Sequence, residues 1–480
     1  MTKIRAFLDA SPCVGYLRRF YASRWYIGLI VLLTALSYVT GGELVVWGIF
    51  VFLSALAMVV VPDLMPVVPP TLTAVFCLSV RHAPMRPTYS PYLFTGTGLA
   101  VVVSLSVVVV LAFAAHLVIW GVRLPENTER PALLPFLLPL AAALLLNGVG
   151  QAGYSIKNLV FGAITAFCWC GLYLVYDLQL PRGRETKEYM FDCCFAIAWL
   201  LLFEFVYAYI ANGVVENGVA DAAKIVMGWG IHNGIGIMFA LLIPLMLRMA
   251  SERRRATLYY TTATLLLVGI VLTTSRGSLL VGTGAFLAGS LLLCYRGNHR
   301  RVNRICFAVV ACAALIVLLF CREPLLHFLP RFRTDGMNDN GRFDLWREGW
   351  HLFLGAPIFG AGFAAISFES WAGNLFPGYL HNTIFELLGA GGACAVVAYL
   401  AYRVQSVMLF VRKPTFDRTF MGLSIAVLLG GSLLDNHVFN IYPMFFYAVL
   451  LVLSEADARA AALTAQIPGS VQSAKAQEKR

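Results

Sequence analysis

His381 closes a polar stretch and opens an apolar one. It stands in Leu380-His381-Asn382-Thr383, directly after the segment 323–380, which carries Arg331, Arg333, Arg342 and Arg347. An imidazole titrates close to neutral pH, so it is suited to taking a proton from a hydroxyl. A guanidinium grips two phosphate oxygens in one plane. A base and several phosphate-binding cations, gathered where the chain passes from water into lipid, suit chemistry on a lipid-linked pyrophosphate. The alternative for any one loop arginine is a pair with an acidic neighbour such as Glu323, Asp335 or Asp344.

Arg276 adds to this set. It lies in Thr273-Thr274-Ser275-Arg276-Gly277-Ser278, between two apolar runs with almost no loop. A charge so near hydrocarbon is a functional candidate by default; the competing reading is a side chain that snorkels to water. Within 323–380, Asn340 and Gly341 predict a turn and the residues up to Trp350 an amphipathic helix. Phe343, Trp346 and Trp350 recur at i, i+3 and i+7 and share a face. That face rests on the bundle top or in an interfacial aromatic belt, with Arg342 and Arg347 flanking it. Gly355 to Phe363 is a glycine-punctuated turn. Asn382 or Thr383 caps the helix that follows His381. Asp335, Asn338, Asp339 and Asn340 resemble a calcium loop only loosely, because the EF-hand spacing and terminal glutamate are missing. His82, His116, His299, His327, His351 and His437 read as structural or interfacial. Cys168-x-Cys170 is too sparse for zinc, and the cysteines read as small apolar residues within spans.

The elements that must position these residues are membrane helices. Of 480 residues, 59% are hydrophobic and 13% charged, with a mean hydropathy of +0.76; a soluble domain averages about 25% charged. Runs such as 98–119 and 227–249 match the roughly 20 apolar residues needed to cross about 30 Å of hydrocarbon. Backbone groups in lipid must be satisfied within the segment, so these runs are helices. The expected fold is all-α and polytopic, with about 12–14 transmembrane helices and one large outer loop. The least regular segment is 64–80, where Pro66, Pro69 and Pro70 predict a kink or a re-entrant course. The N-terminal run is followed at once by another, without a secretory cleavage site, so no cleavable signal is expected. With the N-terminus in the cytoplasm, 26 of the 36 Lys and Arg fall on the inner side and 10 on the outer side. The net charge of +11 is then a topology signal and excludes no lipid-facing role, while nucleic acid is not indicated. Eight of the ten outer cations are arginine, against the ordinary inside bias.

Three segments together resemble the O-antigen ligase / O-antigen polymerase superfamily of integral membrane glycosyltransferases. Its R-x-x-x-W helix followed by P-x-x-G-x-G matches Arg342, Trp346 and Pro357 to Gly362. Its H-N-x-[FYIL]-x-[EQ] pattern with a later glycine matches His381, Asn382, Ile384, Glu386 and Gly392. Its S-R-[GA] matches Ser275, Arg276 and Gly277, and Asn233 fits an earlier N-x-x-[GA] loosely, without the family's usual Asn-Pro-Asn. The resemblance covers roughly residues 230–450, and the half before Cys193 shows no motif. It implies transfer of a glycan from undecaprenyl pyrophosphate to an acceptor hydroxyl on a lipid, a glycan or a protein. The transfer would invert the anomeric centre on the outer face of the cytoplasmic membrane, with no cofactor and no metal. His381 would be the catalytic base and Arg276, Arg342 and Arg347 the pyrophosphate ligands; Asn382, Glu386 and Trp346 would support them. The organisation expected is N-terminal helices over 1–190, a ligase-like core over 191–453 and a disordered cytoplasmic tail over 454–480. The alternative function is a transporter or flippase of lipid-linked oligosaccharide, which would carry ionisable residues deep within several spans; Glu204 is one of few here.

Overall fold

The computed structural model describes residues 2–79, 96–122, 133–334, 341–366, 380–412 and 414–466. Several residues weighed above lie outside them: His82, Asp335, Asn338, Asp339, Asn340 and the tail 467–480. The described chain is helical apart from two antiparallel hairpins, Val215–Glu216 with Val219–Ala220 and Val226–Met227 with Gly230–Ile231. The helices that matter below are α1 (Arg24–Thr40), α2 (Glu43–Val60), α3 (Gly96–Trp120), α4 (Leu134–Leu145), α5 (Ile156–Gln179), α6 (Arg184–Ala211), α7 (His232–Glu252), α8 (Ala256–Leu272), α9 (Arg276–Arg296), α10 (Arg300–Phe320), α11 (Arg342–Gly355), α12 (Thr383–Val411), α13 (Phe416–Gly431) and α14 (Ile441–Gln466).

Among the described residues nine helices are long and apolar enough to span a bilayer, or ten if Pro12–Tyr21 and α1, bent by 64°, count as one. This is fewer than the 12–14 expected. The difference lies in short elements: α4, α8, α13 and the broken run Met65–Cys77, which the prolines split into 3-10 and α turns.

Hydropathy and burial run in opposite directions. The apolar window of α7 is wholly enclosed yet has a hydropathy of only 1.8, whereas α3 and α10 reach 2.7 and 2.5 with 11% and 6% buried. Lipid is as apolar as leucine, so the outermost helices carry the most hydrocarbon, and the central one can use small residues for close approach. Gly236 of α7 is an example: a Cβ there would stand 2.8 Å from the Ser278 side chain of α9.

Ion pairs close the end of the bundle away from His381. Lys187 bonds Asp417 at 2.9 Å and Asp457 at 2.7 Å, and Arg248 bonds Glu188 at 2.8 Å and Asp417 at 2.9 Å. These pairs correct the expectation of a disordered tail beginning at 454. Helix α14 continues to Gln466, because Glu455 bonds Tyr173, Asp457 joins this network and Arg459 reaches Asp177 at 3.3 Å. Arg403 is a charge inside a span. It is buried in α12 among the rings of Trp169, Tyr399, Tyr402 and Tyr447, at 4.6–5.5 Å from their centroids. Aromatic faces accommodate a guanidinium that has been taken out of water, so the span runs past it to Val411.

The glycine-punctuated turn docks on a break in α12. Gly392 has φ 64°, and the backbone there takes Ala361 N–H to Gly389 O at 2.8 Å, Gly362 N–H to Ala390 O at 2.9 Å and Ala393 N–H to Pro357 O at 2.9 Å. Carbonyls freed by the break are thus satisfied by the loop. A Cβ on Gly392 would stand 2.5 Å from Ile358 O. Gly392→Ala therefore combines a positive-φ conformation almost restricted to glycine (φ 64°, ψ −162°), costing roughly 1–3 kcal/mol, with a backbone clash. It should lower the unfolding temperature in detergent, whereas Gly284→Ala, with open space around it in α9, should not. Equal midpoints for the two variants would refute this docking.

Two asparagines from the N-terminal half hold the same loop. Phe363 N–H donates to Asn147 Oδ1 at 3.0 Å, Ala364 N–H to Asn158 Oδ1 at 2.7 Å, and Gly148 N–H to Phe359 O at 2.8 Å.

Candidate active site

The candidate site forms where α7, α9 and α12 begin and α13 ends. His381 precedes α12 in a left-handed conformation, φ 51°, which a non-glycine residue adopts only when its surroundings over-determine it. Here they do. Asn382 caps α12, accepting from Ile384 N–H at 2.8 Å, and donates to Leu433 O at 2.9 Å. Thr383 bonds Ser432 O through its N–H at 3.1 Å and its hydroxyl at 3.0 Å. The first turn of α12 thereby satisfies the last carbonyls of the α13 end. Buried Glu386 clamps both flanks: its Oε2 accepts from Leu380 N–H and from Asn436 Nδ2, each at 2.7 Å. Trp346 of α11 stacks on Phe385 at 5.5 Å, with the rings 10° apart. Trp346 is the member of its aromatic face that meets α12; Phe343 and Trp350 are exposed.

His381 faces an acid. Its Nδ1 lies 2.9 Å from Asp435 Oδ1, which also accepts from Asn436 N–H at 2.8 Å. Asp435 Oδ2 accepts from Asn233 Nδ2 at 2.8 Å, Asn233 Oδ1 accepts from the Ser275 hydroxyl at 2.9 Å, and Ser275 is 2.9 Å from the Ser278 hydroxyl. Burial opposes the charge on Asp435, but the His381 hydrogen bond, the nearby imidazoles and the Asn436 N–H outweigh it and hold the carboxyl well below the usual carboxylate range. An ionised Asp435 can only accept, so Nδ1 of His381 carries the proton and Nε2 is the basic nitrogen. Burial pushes His437 below its ordinary value, and the Arg342 guanidinium adds to this against Asp435.

Arg276 is the first residue of α9, half-buried and next to Ser275 of this chain of bonds. Arg342 opens α11, and its charge reaches His437 and His232; that of Arg331 reaches His232 as well. Arg347 is placed differently. Its guanidinium is 69% exposed and 3.4 Å from Asp344.

Sequence reasoning missed Asp435 and assigned no role to Asn233. The signal for Asp435 was present: Leu434-Asp435-Asn436 joins two apolar runs with almost no loop, as at Arg276. Its pairing with His381, 54 positions earlier, has no local trace. The two residues line a cavity of about 150 Å³ together with Trp229, Asn233, Asn436, His437, Asn440 and Tyr442.

Residues 261–400 match the family model described as O-antigen ligase. No curated protein matches the chain. The matched span holds Arg276, Arg342, Trp346, His381 and Glu386, while Asn233 and Asp435 lie on either side of it. Motifs and match agree: residues 261–400 of this multi-pass membrane protein are similar to the O-antigen ligase family.

Proposed function

We propose that the protein transfers a glycan from undecaprenyl pyrophosphate to an acceptor hydroxyl, with His381 as general base and Asp435 orienting it. The observation that carries this reading is the 2.9 Å contact between His381 Nδ1 and the Asp435 carboxylate. The acceptor hydroxyl gives its proton to Nε2 as its oxygen attacks the anomeric carbon. The bond from that carbon to the pyrophosphate oxygen breaks on the opposite face, so the centre inverts and the lipid pyrophosphate leaves as an anion. Because the leaving group is already a good one, the step needs no further activation by a nucleotide.

Negative charge grows on the departing pyrophosphate, and fixed guanidinium groups stabilise it. Arg276 and Arg342 are the candidates for this role, with Arg331 a third; Arg347 is exposed and paired with Asp344. The site end of the bundle is read as the outer face of the cytoplasmic membrane, from the excess of basic residues at the other end. The test keeps charge and changes shape. Arg276→Lys and Arg342→Lys replace a planar fork by a point ammonium. Loss of one charge-assisted bond costs roughly 1.5–3 kcal/mol, so each variant should lose about 10- to 150-fold in transfer, measured with purified protein and a synthetic lipid-pyrophosphate glycan. Wild-type turnover in both would refute the phosphate role.

A further inference from the structure

We propose that the cavity beside His381 and Asp435 is the subsite for one neutral sugar ring of the acceptor, and that Glu204 positions its wall by holding Trp229. This rests on the glycosyl-transfer reading above. Among the described residues no Lys or Arg lines the cavity, which does not favour a pyrophosphate there. Its walls combine the amides of Asn233, Asn436 and Asn440 with the rings of Trp229 and Tyr442 and the backbone at Gly228, Gly230 and Gly234. Amides and glycine backbone for hydroxyls, with aromatic rings for C–H faces, are the chemistry of an uncharged polyol. The cavity volume of about 150 Å³ is on the scale of a small ligand such as one sugar ring. The buried amide oxygen of Asn436 has no hydrogen-bond partner among the described residues. Buried acceptors are ordinarily paired, and a ligand hydroxyl would pair this one. A hydroxyl on a ring seated here meets His381, which lines the same cavity.

The wall is fixed from behind. Trp229 Nε1 donates to Glu204 Oε2 at 2.9 Å, deep in α6. Trp229 meets Tyr442 at 5.3 Å and Phe76 at 4.9 Å, both edge-on. Gly234 leaves the room that the Tyr442 hydroxyl occupies. Glu204 is fully buried. Its visible bond goes to the indole, so it acts on the cavity through Trp229 and is a positioning residue.

The test uses the full chain in lipid nanodiscs and binding of methyl glycosides of glucose, galactose, mannose and N-acetylglucosamine, followed by saturation-transfer NMR. At least one glycoside should bind. Glu204→Leu, which strands the indole N–H, should weaken that binding about tenfold, the scale of one lost hydrogen bond. Glu204→Gln, which keeps an accepting oxygen, should restore it, a rescue that a general packing role would not give. Trp229→Phe should weaken it similarly and serves if Glu204→Leu does not fold. Binding should persist when the protein is first saturated with the glycan-bearing lipid pyrophosphate. Displacement by that donor, but not by undecaprenyl pyrophosphate without sugar, would assign the cavity to the donor and overturn the proposal. Absence of binding by every glycoside, or binding unchanged in Glu204→Leu and Trp229→Phe, would overturn it too. Because binding needs no turnover, it separates from the mechanism: full transfer by His381→Ala would sink the general-base reading and leave this subsite standing.

Discussion

His381→Ala should suppress glycan transfer by about 10²- to 10⁴-fold, the usual contribution of a positioned general base, while donor binding stays near wild type. The Asn382 cap, the Thr383 bonds to Ser432 and the Glu386 clamp do not use the imidazole, so the start of α12 should survive the change. In wild type the rate should fall on the acid side, because a protonated imidazole cannot accept the hydroxyl proton. A histidine that only bonds a phosphate oxygen predicts otherwise: donor affinity would drop in the Ala variant, and acid would not slow the wild type. Donor affinity and turnover measured across pH decide between them, and unchanged turnover would remove His381 from both roles.

Asp435→Asn should cost on the order of 10²-fold or more, judging from carboxylate–imidazole pairs in hydrolases. The amide keeps the size but loses the anion, and it can present an N–H that forces the basic nitrogen of His381 toward it and away from the substrate. Stability gives a second readout with a fixed sign. The folded-state carboxyl is held below its ordinary range, so its contribution is present above the unfolded carboxylate value and is lost as pH falls through the folded one. Wild type should therefore unfold at a higher temperature than Asp435→Asn near neutral pH, and the gap should close as the solution is acidified below the carboxylate range. A gap that widens in acid would contradict the ionised Asp435.

Much of the fold could be read ahead because lipid imposes one rule on every span: the backbone must satisfy itself. The spans that resisted were those in which proline or length broke the rule locally, at Met65–Cys77 and α4. The site was legible where a charged or titratable residue interrupts hydrocarbon, as at Arg276 and His381. Arg342 and Trp346 were legible through the periodicity of α11. Asp435 obeys the same local signal, but a partner 54 positions away leaves no trace in spacing. The burial of Arg403 has no local signal either: the four rings that enclose it come from α5, α12 and α14, and only packing brings them together.

The bonds from Asn147 and Asn158 to residues 363 and 364 have a consequence for anyone recombining such proteins. The segment matched to the ligase family begins at residue 261, yet the turn carrying Gly360 and Gly362 is fastened to the chain a hundred positions before that boundary. A transplanted 261–400 would arrive with Phe363 and Ala364 N–H groups facing a foreign helix. Chimeras that exchange α4 and the start of α5 along with the loop should assemble, and those that cut at the family boundary should not. The unit of inheritance in this protein is wider than the unit of resemblance.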